Sequence, residues 1–310
     1  MKKYQHKVIK FSYALVRGIL IIGLSFIILY PLLLKISSSL MTQKDLFDQT
    51  VYWISRQPTL ENFKVAFSLM NYPKTFLNSF LLTLLVSTAQ LASCLVIGYG
   101  FARFKFRGRK LWFALVIAVL LVPPQLIMIP RYLNFRYFNL FGLIPGNGIN
   151  LLGSFWPFLL ISLTGVGLKN GLFIFIMRQY FLGMSSELEE AAYIDGAGPI
   201  RTFLTIMVPH AVPAMVIVFL FSFVWQWNDL FYTDLFLPNA ELLPHVLKDL
   251  SFNYGIVHLT AAERAALLTS EFNSILNNAG IILFIAPLIL LYTFLQRYFI
   301  ESIEKTGLVE

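Results

Sequence analysis

Six apolar runs recur along this chain, and each is long enough, or nearly so, to cross a bilayer as a helix. Hydrophobic residues make up 57% of the 310 residues, charged residues only 13%, and the mean hydropathy is +0.71. That composition is too apolar for a soluble domain of this length and is typical of a polytopic membrane protein. We therefore predict an all-α membrane protein of about six transmembrane helices. The predicted spans cover residues 18–34, 76–100, 111–129, 155–181, 206–227 and 276–299. The paired prolines Pro123 and Pro124 predict a broken or kinked end of the third span, and Leu60 to Phe63 predict the start of a short amphipathic helix.

Lysines and arginines are distributed unevenly around these spans, which predicts the orientation of the chain. If both termini are cytoplasmic, fourteen of the basic residues fall on the inner side, counting Arg178 and Arg297 at the cytoplasmic ends of their spans, nine fall outside, and Lys169 lies deeper within a span. The positive-inside rule favours this topology. It makes residues 1–17 and 301–310 cytoplasmic segments and residues 18–300 the membrane domain. A signal peptide is the alternative for the first run, but that run is long for one, and Ser37-Ser38-Ser39 is a poor cleavage site.

A polar stretch of small residues, Met184 to Pro213, separates two of the apolar runs. Ser186 and Glu189 have the spacing of a capping box, which predicts a helix start. Gly196 is typical of a left-handed helix cap, and Pro199 of the first turn of a second helix. The sequence thus predicts a helix–turn–helix outside the membrane, which we call the elbow (residues 184–206).

One face of the first elbow helix is predicted to be narrow and smooth. Leu188, Ala191, Ala192 and Asp195 recur at helical spacing, and most of their side chains are small. A face of that kind lets the groove of another protein approach closely. We therefore expect this face to be a docking surface.

The elbow resembles the EAA loop of ABC importer permeases. The resemblance rests on Glu190-Ala191-Ala192, on Asp195-Gly196-Ala197-Gly198, and on Phe203, Ile206 and Pro209. An isolated triplet would fit an ordinary capped hairpin, whereas the full run does not. The resemblance implies a coupling helix that docks on a cytoplasmic ATPase. The implied coupling residues are Glu187, Glu190, Ala191, Ala192, Asp195, Gly196, Ala197, Gly198 and Phe203.

Two further stretches resemble the carbohydrate group of these permeases, close to the smaller permease of maltose-type systems. They are the Met177-to-Phe181 lead into the elbow and Trp227-Asn228-Asp229. The resemblance implies the transmembrane domain of a type I ABC importer in the plasma or inner membrane, surrounded by lipid. It also implies a homologous second permease, two ATPase subunits that bind ATP and Mg, and an extracellular sugar-binding protein. The chain itself would need no cofactor and catalyse nothing, and the solute would cross by alternating access.

Four residues are candidates for the solute path. Lys169 and Asn170 interrupt the fourth apolar run, and an ionisable residue inside a membrane is a functional candidate. The alternative for Lys169 is that it snorkels or pairs with a neighbouring helix. Trp227 and Asn228 offer an aromatic face beside an amide, which suits a sugar ring, although an interfacial Trp is the alternative. A cation in this position leads to the hypothesis of an acidic, uronate-containing solute.

Several activities find no support in the sequence. It contains no Walker A loop and no HExxH, GxSxG or paired-cysteine motif, so we predict no catalytic or metal-binding residues. The basic residues lie beside apolar runs, which argues against nucleic acid as a partner. The predicted spans lack Asp and Glu, which weakens an ATP-independent secondary transporter or channel. That class and, less favoured, a membrane-embedded glycan enzyme remain the alternatives.

Overall fold

The computed structural model describes residues 2–42, 44, 45, 48, 50–144, 146, 148–258 and 272–307. Helices dominate these residues, together with one isolated antiparallel bridge between Phe138 and Ile149. The α-helices are α1 (Lys2–Ser39), α2 (Glu61–Leu69), α3 (Tyr72–Arg103), α4 (Arg109–Ala118), α5 (Met128–Arg136), α6 (Trp156–Leu163), α7 (Asn170–Gly183), α8 (Glu187–Ile194), α9 (Pro199–Thr202), α10 (Val208–His210), α11 (Val212–Trp227), α12 (Phe231–Phe236), α13 (Leu243–Lys248), α14 (Leu250–His258) and α15 (Phe272–Gly307). Short 3₁₀ helices cover Val119–Leu121, Pro124–Ile127 and Leu140–Gly142, and a π-helix covers Phe203–Met207.

The chain divides into two compact units. The first unit comprises Met1–Tyr72 and Val246–Ala286, and the second comprises Pro73–His245 and Pro287–Glu310. The elbow and all four candidate solute-path residues lie in the second unit. The surface helix that the sequence suggests at residues 259–268 lies outside the described residues.

Polar side chains join the helices of the first unit. Lys35 Nζ donates a hydrogen bond to Asn278 Oδ1 over 3.1 Å, and Asn278 Nδ2 donates to Ser38 Oγ over 2.7 Å. Gly280 lies so close to α14 that an added Cβ would be 2.6 Å from Leu250 Cδ2. The start of α2 directly after Leu60 confirms the short helix expected there.

Among the described residues, three helices are continuous and apolar over a length that can cross a membrane. They are Lys10–Ser39, Tyr72–Arg103 and Ser274–Tyr298, and the last of these continues past Pro287. They correspond to the first, second and sixth predicted spans. The chain is therefore a multi-pass membrane protein, as the composition predicted.

Two other predicted spans are bent pairs of helices rather than single helices. The pair Arg109–Leu121 and Pro124–Arg136 bends by 100°, and the pair Pro199–His210 and Val212–Trp227 bends by 74°. The prediction of one helix over residues 206–227 was therefore wrong. Prolines explain both breaks, because a proline ring cannot donate the ladder hydrogen bond and clashes with the preceding turn. The break expected at Pro123 and Pro124 is confirmed.

The fourth predicted span, residues 155–181, is also interrupted. Helix α6 ends at Leu163 and α7 begins only at Asn170, so neither half has the length to cross a bilayer alone. Lys169 precedes α7 in the left-handed conformation, with φ of 61°. The interruption predicted at Lys169 and Asn170 is therefore confirmed.

Close packing of α3 against α7 forms much of the core of the second unit. Cys94, Phe173, Met177 and Val218 are buried together in one cluster of α3, α7 and α11 side chains. Gly98 makes this contact close, since a Cβ at Gly98 would lie 2.6 Å from the Met177 Cβ. Small residues bring membrane helices together in this way. The same packing places the end of α3 beside the elbow.

Candidate functional site

The turn of the elbow has the geometry of a Schellman motif. Gly196 has φ of +81°, and its N–H donates to the Tyr193 carbonyl over 3.1 Å. The Ala197 N–H donates to the Ala192 carbonyl over 2.9 Å. These two bonds cap the carbonyl end of α8. Pro199 is the first residue of α9, so both turn signals of the sequence are confirmed.

The capping box predicted at the start of α8 was wrong. Ser186 has helical dihedral angles and its side chain makes no capping hydrogen bond. The Glu187 N–H instead bonds Ser185 Oγ over 3.2 Å. The Glu189 carboxylate points away from the helix start because it has stronger partners on α3.

Glu189 fastens the elbow to the end of α3. Its carboxylate is buried, with the residue 8% exposed, and it accepts a hydrogen bond from Tyr99 Oη over 2.6 Å. Arg103 Nε lies 3.3 Å from the other carboxylate oxygen, and Arg103 Nη2 donates to the Met184 carbonyl over 2.8 Å. Glu189 was predicted as a member of the capping box and not as a partner of α3. The signal for the α3 contact is the spacing of Tyr99 and Arg103, which puts a phenol and a guanidinium on one face of α3.

The fold buries one residue of the predicted smooth face of α8 and leaves the others exposed. Ala192 is only 4% exposed and packs into its own chain, whereas Leu188, Ala191 and Asp195 are exposed. Ala192 therefore does not belong to an open docking surface, and this part of the prediction is corrected. The reason is that Ala192 lies one helical turn after Glu189, on the side of α8 that faces α3.

The exposed surface of the elbow is instead apolar around its turn. Ile194 is 86% exposed, and Ile200 and Leu204 are also exposed. Of the remaining predicted coupling residues, the exposed ones are Glu187, Glu190, Gly196 and Gly198, while Ala197 is half-buried. Phe203 is half-buried and its ring centroid lies 4.6 Å from that of Tyr99. Phe203 thus helps to seat the elbow on α3.

Side chains from two neighbouring helices satisfy the interrupted backbone between α6 and α7. Gln90 Nε2 donates to the Leu168 carbonyl over 3.0 Å, and Ser93 Oγ donates to the Ser162 carbonyl over 2.6 Å. From the other side, Arg131 Nη2 donates to the Val166 carbonyl over 2.8 Å. Non-helical backbone at membrane depth is tolerated only where its polar groups find such partners. Gln90 and Arg131, which no sequence pattern singled out, therefore stabilise the non-helical backbone between α6 and α7.

The two candidates at the break differ in accessibility. Asn170 is 1% exposed, and its Nδ2 donates to the Ser162 carbonyl over 3.4 Å and to Ser93 Oγ over 3.5 Å. Lys169, predicted as a buried cation, is exposed, and its Nζ lies 5.8 Å from the centroid of the Trp225 ring. Asn170 therefore supports the break, whereas Lys169 is open to a solute.

Of the second pair of candidate solute-path residues, Trp227 is buried and Asn228 is exposed. Trp227 is 1% exposed, and its ring packs 6.0 Å from that of Phe76 and 5.8 Å from that of Phe223, between centroids. Asn228 is exposed, but its Nδ2 donates to the Val224 carbonyl over 2.7 Å. The expectation that the Trp227 ring faces a sugar is corrected for this conformation, because aromatic packing buries both faces of the indole.

A buried carboxyl follows α11 directly, outside the predicted spans. Asp229 accepts hydrogen bonds from the N–H groups of Tyr232 (3.3 Å) and Thr233 (3.0 Å) at the start of α12. Burial raises the pKa of Asp229 to about 6, and the two N–H bonds offset only part of that rise. Oδ1 of the neighbouring Asp234 lies 2.9 Å from His245 Nε2.

Known proteins are similar to this chain in sequence and in fold. The profile of the family described as the binding-protein-dependent transport system inner membrane component matches residues 94–305. Among similar proteins is the maltodextrin transport system permease protein MdxG of Bacillus subtilis (strain 168), which is 28% identical over 92% of each chain. The arabinooligosaccharides transport system permease protein AraQ of Halalkalibacterium halodurans is 27% identical, again over 92% of each chain.

A solved structure matches over nearly its whole length. It is the crystal structure of a bacterial ABC transporter involved in the import of the acidic polysaccharide alginate, with a TM-score of 0.71. The match covers 93% of this chain and 96% of that chain at 22% identity, so it establishes the fold, the transmembrane domain of a type I ABC importer. Because the family profile covers more than half of the chain and includes the elbow, this protein belongs to the family of inner membrane components of binding-protein-dependent transport systems.

Proposed function

We propose that this chain is the permease subunit of an ATP-driven oligosaccharide importer, and that its elbow docks on an ATPase carried by a separate chain. The observation that carries the proposal is the elbow. Its turn is fixed by Gly196, and the apolar side chains of Ile194, Ile200 and Leu204 project from it into open space. An exposed apolar patch on a well-ordered turn favours a protein partner that covers it.

The buried contacts of Glu189 supply the route from the ATPase to the membrane helices. ATP and Mg bind to the partner ATPase, whose closure displaces the elbow. Because Glu189 is bonded to Tyr99 and paired with Arg103, that displacement moves the end of α3 as well. The membrane cavity then alternates between the two sides. Neither this chain nor its elbow carries out a chemical step.

The remaining partners follow from the family. We propose a homologous second permease, two ATPase copies and an extracellular sugar-binding protein, with both termini of this chain and its elbow in the cytoplasm. The maltodextrin and arabinooligosaccharide permeases among its relatives support an oligosaccharide as the solute. The alginate importer of similar fold, together with the exposed Lys169, supports an acidic sugar.

Affinity purification of the tagged full chain from native membranes tests the proposal. We expect an ATPase, a second permease and a sugar-binding protein to be recovered with it, as identified by mass spectrometry. Ala191→Trp places a large side chain on the exposed face of α8 and should abolish recovery of the ATPase. Ala192 is unsuitable for this test because it is buried in its own chain. Asn239→Trp, at an exposed position in a predicted external segment, is the control.

Two results would contradict the proposal. One is normal recovery of the ATPase with Ala191→Trp. The other is uptake of solute by the reconstituted chain without ATP or an ATPase, which would favour the secondary transporter or channel. Turnover of a glycan by the purified chain alone would favour the embedded enzyme.

A further inference from the structure

A small cavity lies in the second unit, where the bend between α4 and α5 meets the break before α7. Its volume is about 70 Å³. Arg131, Tyr232 and residues 166–171, which include Lys169, are among the residues that line it. Since about 10–15 Å³ of volume measured in this way holds one water molecule, the cavity has room for a small polar group such as a carboxylate.

Two cations line this cavity without a carboxylate partner. Neither Arg131 nor Lys169 forms an ion pair with any carboxylate in the part of the chain that the structure describes. The acidic side chains of the adjoining α12 region are engaged elsewhere. Asp229 accepts hydrogen bonds from the N–H groups of Tyr232 and Thr233, and Asp234 Oδ1 lies 2.9 Å from His245 Nε2.

Arg131 is held in place with donors to spare. Its Nη1 donates to Tyr232 Oη over 2.9 Å, and its Nη2 donates to the Val166 carbonyl over 2.8 Å. The Tyr232 ring also lies beneath the guanidinium, 5.4 Å from its carbon. A guanidinium carries more N–H donors than these two bonds use. It is therefore oriented in advance and still able to bind a carboxylate oxygen.

The start of α7 adds a third positive element. Asn170 and Gly171, its first residues, line the cavity, and the helix continues for 14 residues. The N-terminus of a helix carries a partial positive charge, and broken membrane helices direct such ends at anionic groups of their solutes. Asn170 Oδ1, buried at the same place, accepts no hydrogen bond from the residues that the structure describes, and as an acceptor it suits a hydroxyl group of a sugar rather than the carboxylate.

The backbone at this helix start is specialised. Lys169 has φ of 61°, a conformation that costs a non-glycine residue about 1–2 kcal/mol and that Gly or Asn would adopt more easily. Gly171 lies so close to α4 that a Cβ would be 2.7 Å from the Val116 carbonyl oxygen. The packing thus fixes a strained lysine at the cavity, which is the kind of outlier that accompanies function.

We infer that this cavity is a subsite for the carboxylate of an acidic sugar residue, bound by Arg131, Lys169 and the N-terminus of α7. The inference rests on the proposed function and adds the residues that bind the acidic group of the solute. The carboxylate of the sugar enters the cavity. Neutral oligosaccharides lack the group that would neutralise the two cations, so the subsite selects for uronate-containing solutes.

Uptake in cells that carry the complete transporter tests the subsite. The probes are labelled oligomers of galacturonate, mannuronate and hyaluronate, each paired with its carboxyl-reduced neutral counterpart. We expect ATP-dependent uptake of at least one acidic probe. Lys169→Gln should lower that uptake about ten- to a hundredfold, the range for loss of a hydrogen bond to a charged group. Lys169→Arg keeps the charge and should retain most of the uptake.

The controls separate binding from folding. The Lys169 side chain is exposed and donates no hydrogen bond to a backbone carbonyl of the described residues. Lys169→Gln should therefore leave assembly with the ATPase unchanged. Arg131→Gln should lower acidic uptake as well, and its assembly must be checked because Arg131 also binds Val166. Arg136→Gln alters an exposed arginine of the same helix that bonds Tyr132 and does not line this cavity. We expect its uptake to be normal.

Each remaining outcome counts against a specific claim. ATP-dependent uptake of the neutral probes only, or acidic uptake that Lys169→Gln leaves unchanged, would overturn the subsite while leaving the proposed function in place. Uptake that does not depend on ATP would overturn the proposed function. Failure to take up any probe would contradict both the proposal that the solute is acidic and the proposal that it is an oligosaccharide.

Discussion

The Glu189 carboxylate in the elbow accepts a hydrogen bond from Tyr99 Oη over 2.6 Å, although the two residues lie 90 positions apart in the chain. Arg103, one turn further along α3, lies 3.3 Å from the same carboxylate. The ion pair is largely shielded from water, with side-chain exposures of 14% for Arg103 and 11% for Glu189. A buried pair of this kind transmits displacement between the two elements that it joins. It also makes both elements sensitive to the loss of either partner.

Removal of Glu189 should uncouple the elbow from α3. Glu189→Ala leaves Arg103 buried without its counter-charge, which costs about 3–5 kcal/mol in comparable cases. We expect a lower melting temperature of the purified complex and less solute transported per ATP hydrolysed. Asn239→Ala, at an exposed position outside the elbow, should change neither quantity. A normal ratio of transport to hydrolysis in a folded Glu189→Ala complex would refute the mechanical role.

Replacement of Gly196 should loosen the elbow turn. Gly196→Ala forces a residue with a Cβ to keep φ of +81°, at a cost of about 1–2 kcal/mol. We expect weaker recovery of the ATPase in co-purification, with insertion into the membrane unaffected. Gly183→Ala is the matched control, because Gly183 has no positive φ and an added Cβ there meets nothing within 4 Å. Equal recovery from the two variants would contradict this prediction.

Two glycines on α3 should respond differently to the same change. A Cβ at Gly98 would lie 2.6 Å from Met177 Cβ and 3.0 Å from the Arg178 nitrogen, whereas one at Gly100 meets nothing within 4 Å. Gly98→Ala therefore overpacks the contact between α3 and α7 and should cost about 1–3 kcal/mol. Gly100→Ala should be close to neutral. Melting temperatures of the two purified complexes, measured side by side, provide the comparison.

The buried Asp229 should make stability depend on pH. Its folded pKa of about 6 lies above the ordinary 3.8, so the unfolded chain releases the proton first as the pH rises. The folded state consequently loses stability between about pH 4 and pH 6, by up to about 3 kcal/mol. Asp229→Asn cannot ionise and avoids this loss. We expect its melting temperature to exceed that of the native protein by more at pH 7.5 than at pH 5. Asp249→Asn, an exposed carboxyl, should show no such difference.

Local signals in the sequence predicted local structure well. Gly196 and Pro199 marked a turn that the structure contains, and the paired prolines at Pro123 marked a real break. These predictions succeeded because the left-handed φ of glycine and the missing N–H of proline are properties of single residues. The prediction of a capping box at Ser186 was wrong because its partner, Glu189, forms a hydrogen bond with Tyr99 on another helix instead.

Accessibility within the candidate site could not be predicted in the same way. Lys169, Asn170 and Trp227 are all polar or amphipathic residues at the ends or breaks of apolar runs, and they look alike in the sequence. The fold leaves Lys169 exposed and buries the other two. It also brings Arg131, from a segment predicted to be an external loop, to the same cavity as Lys169.

The sequence by itself determined the membrane class, the position of the elbow and the family. Apolar run length, charge asymmetry and motif spacing are all measured along one chain, and the physical constraints behind them act locally. Only the tertiary structure decided which spans are bent, that Glu189 fastens the elbow to α3, and that two cations share a cavity. Those relationships depend on the packing of segments far apart in sequence, where close helix contacts and buried hydrogen bonds select one partner among several of the same chemical type.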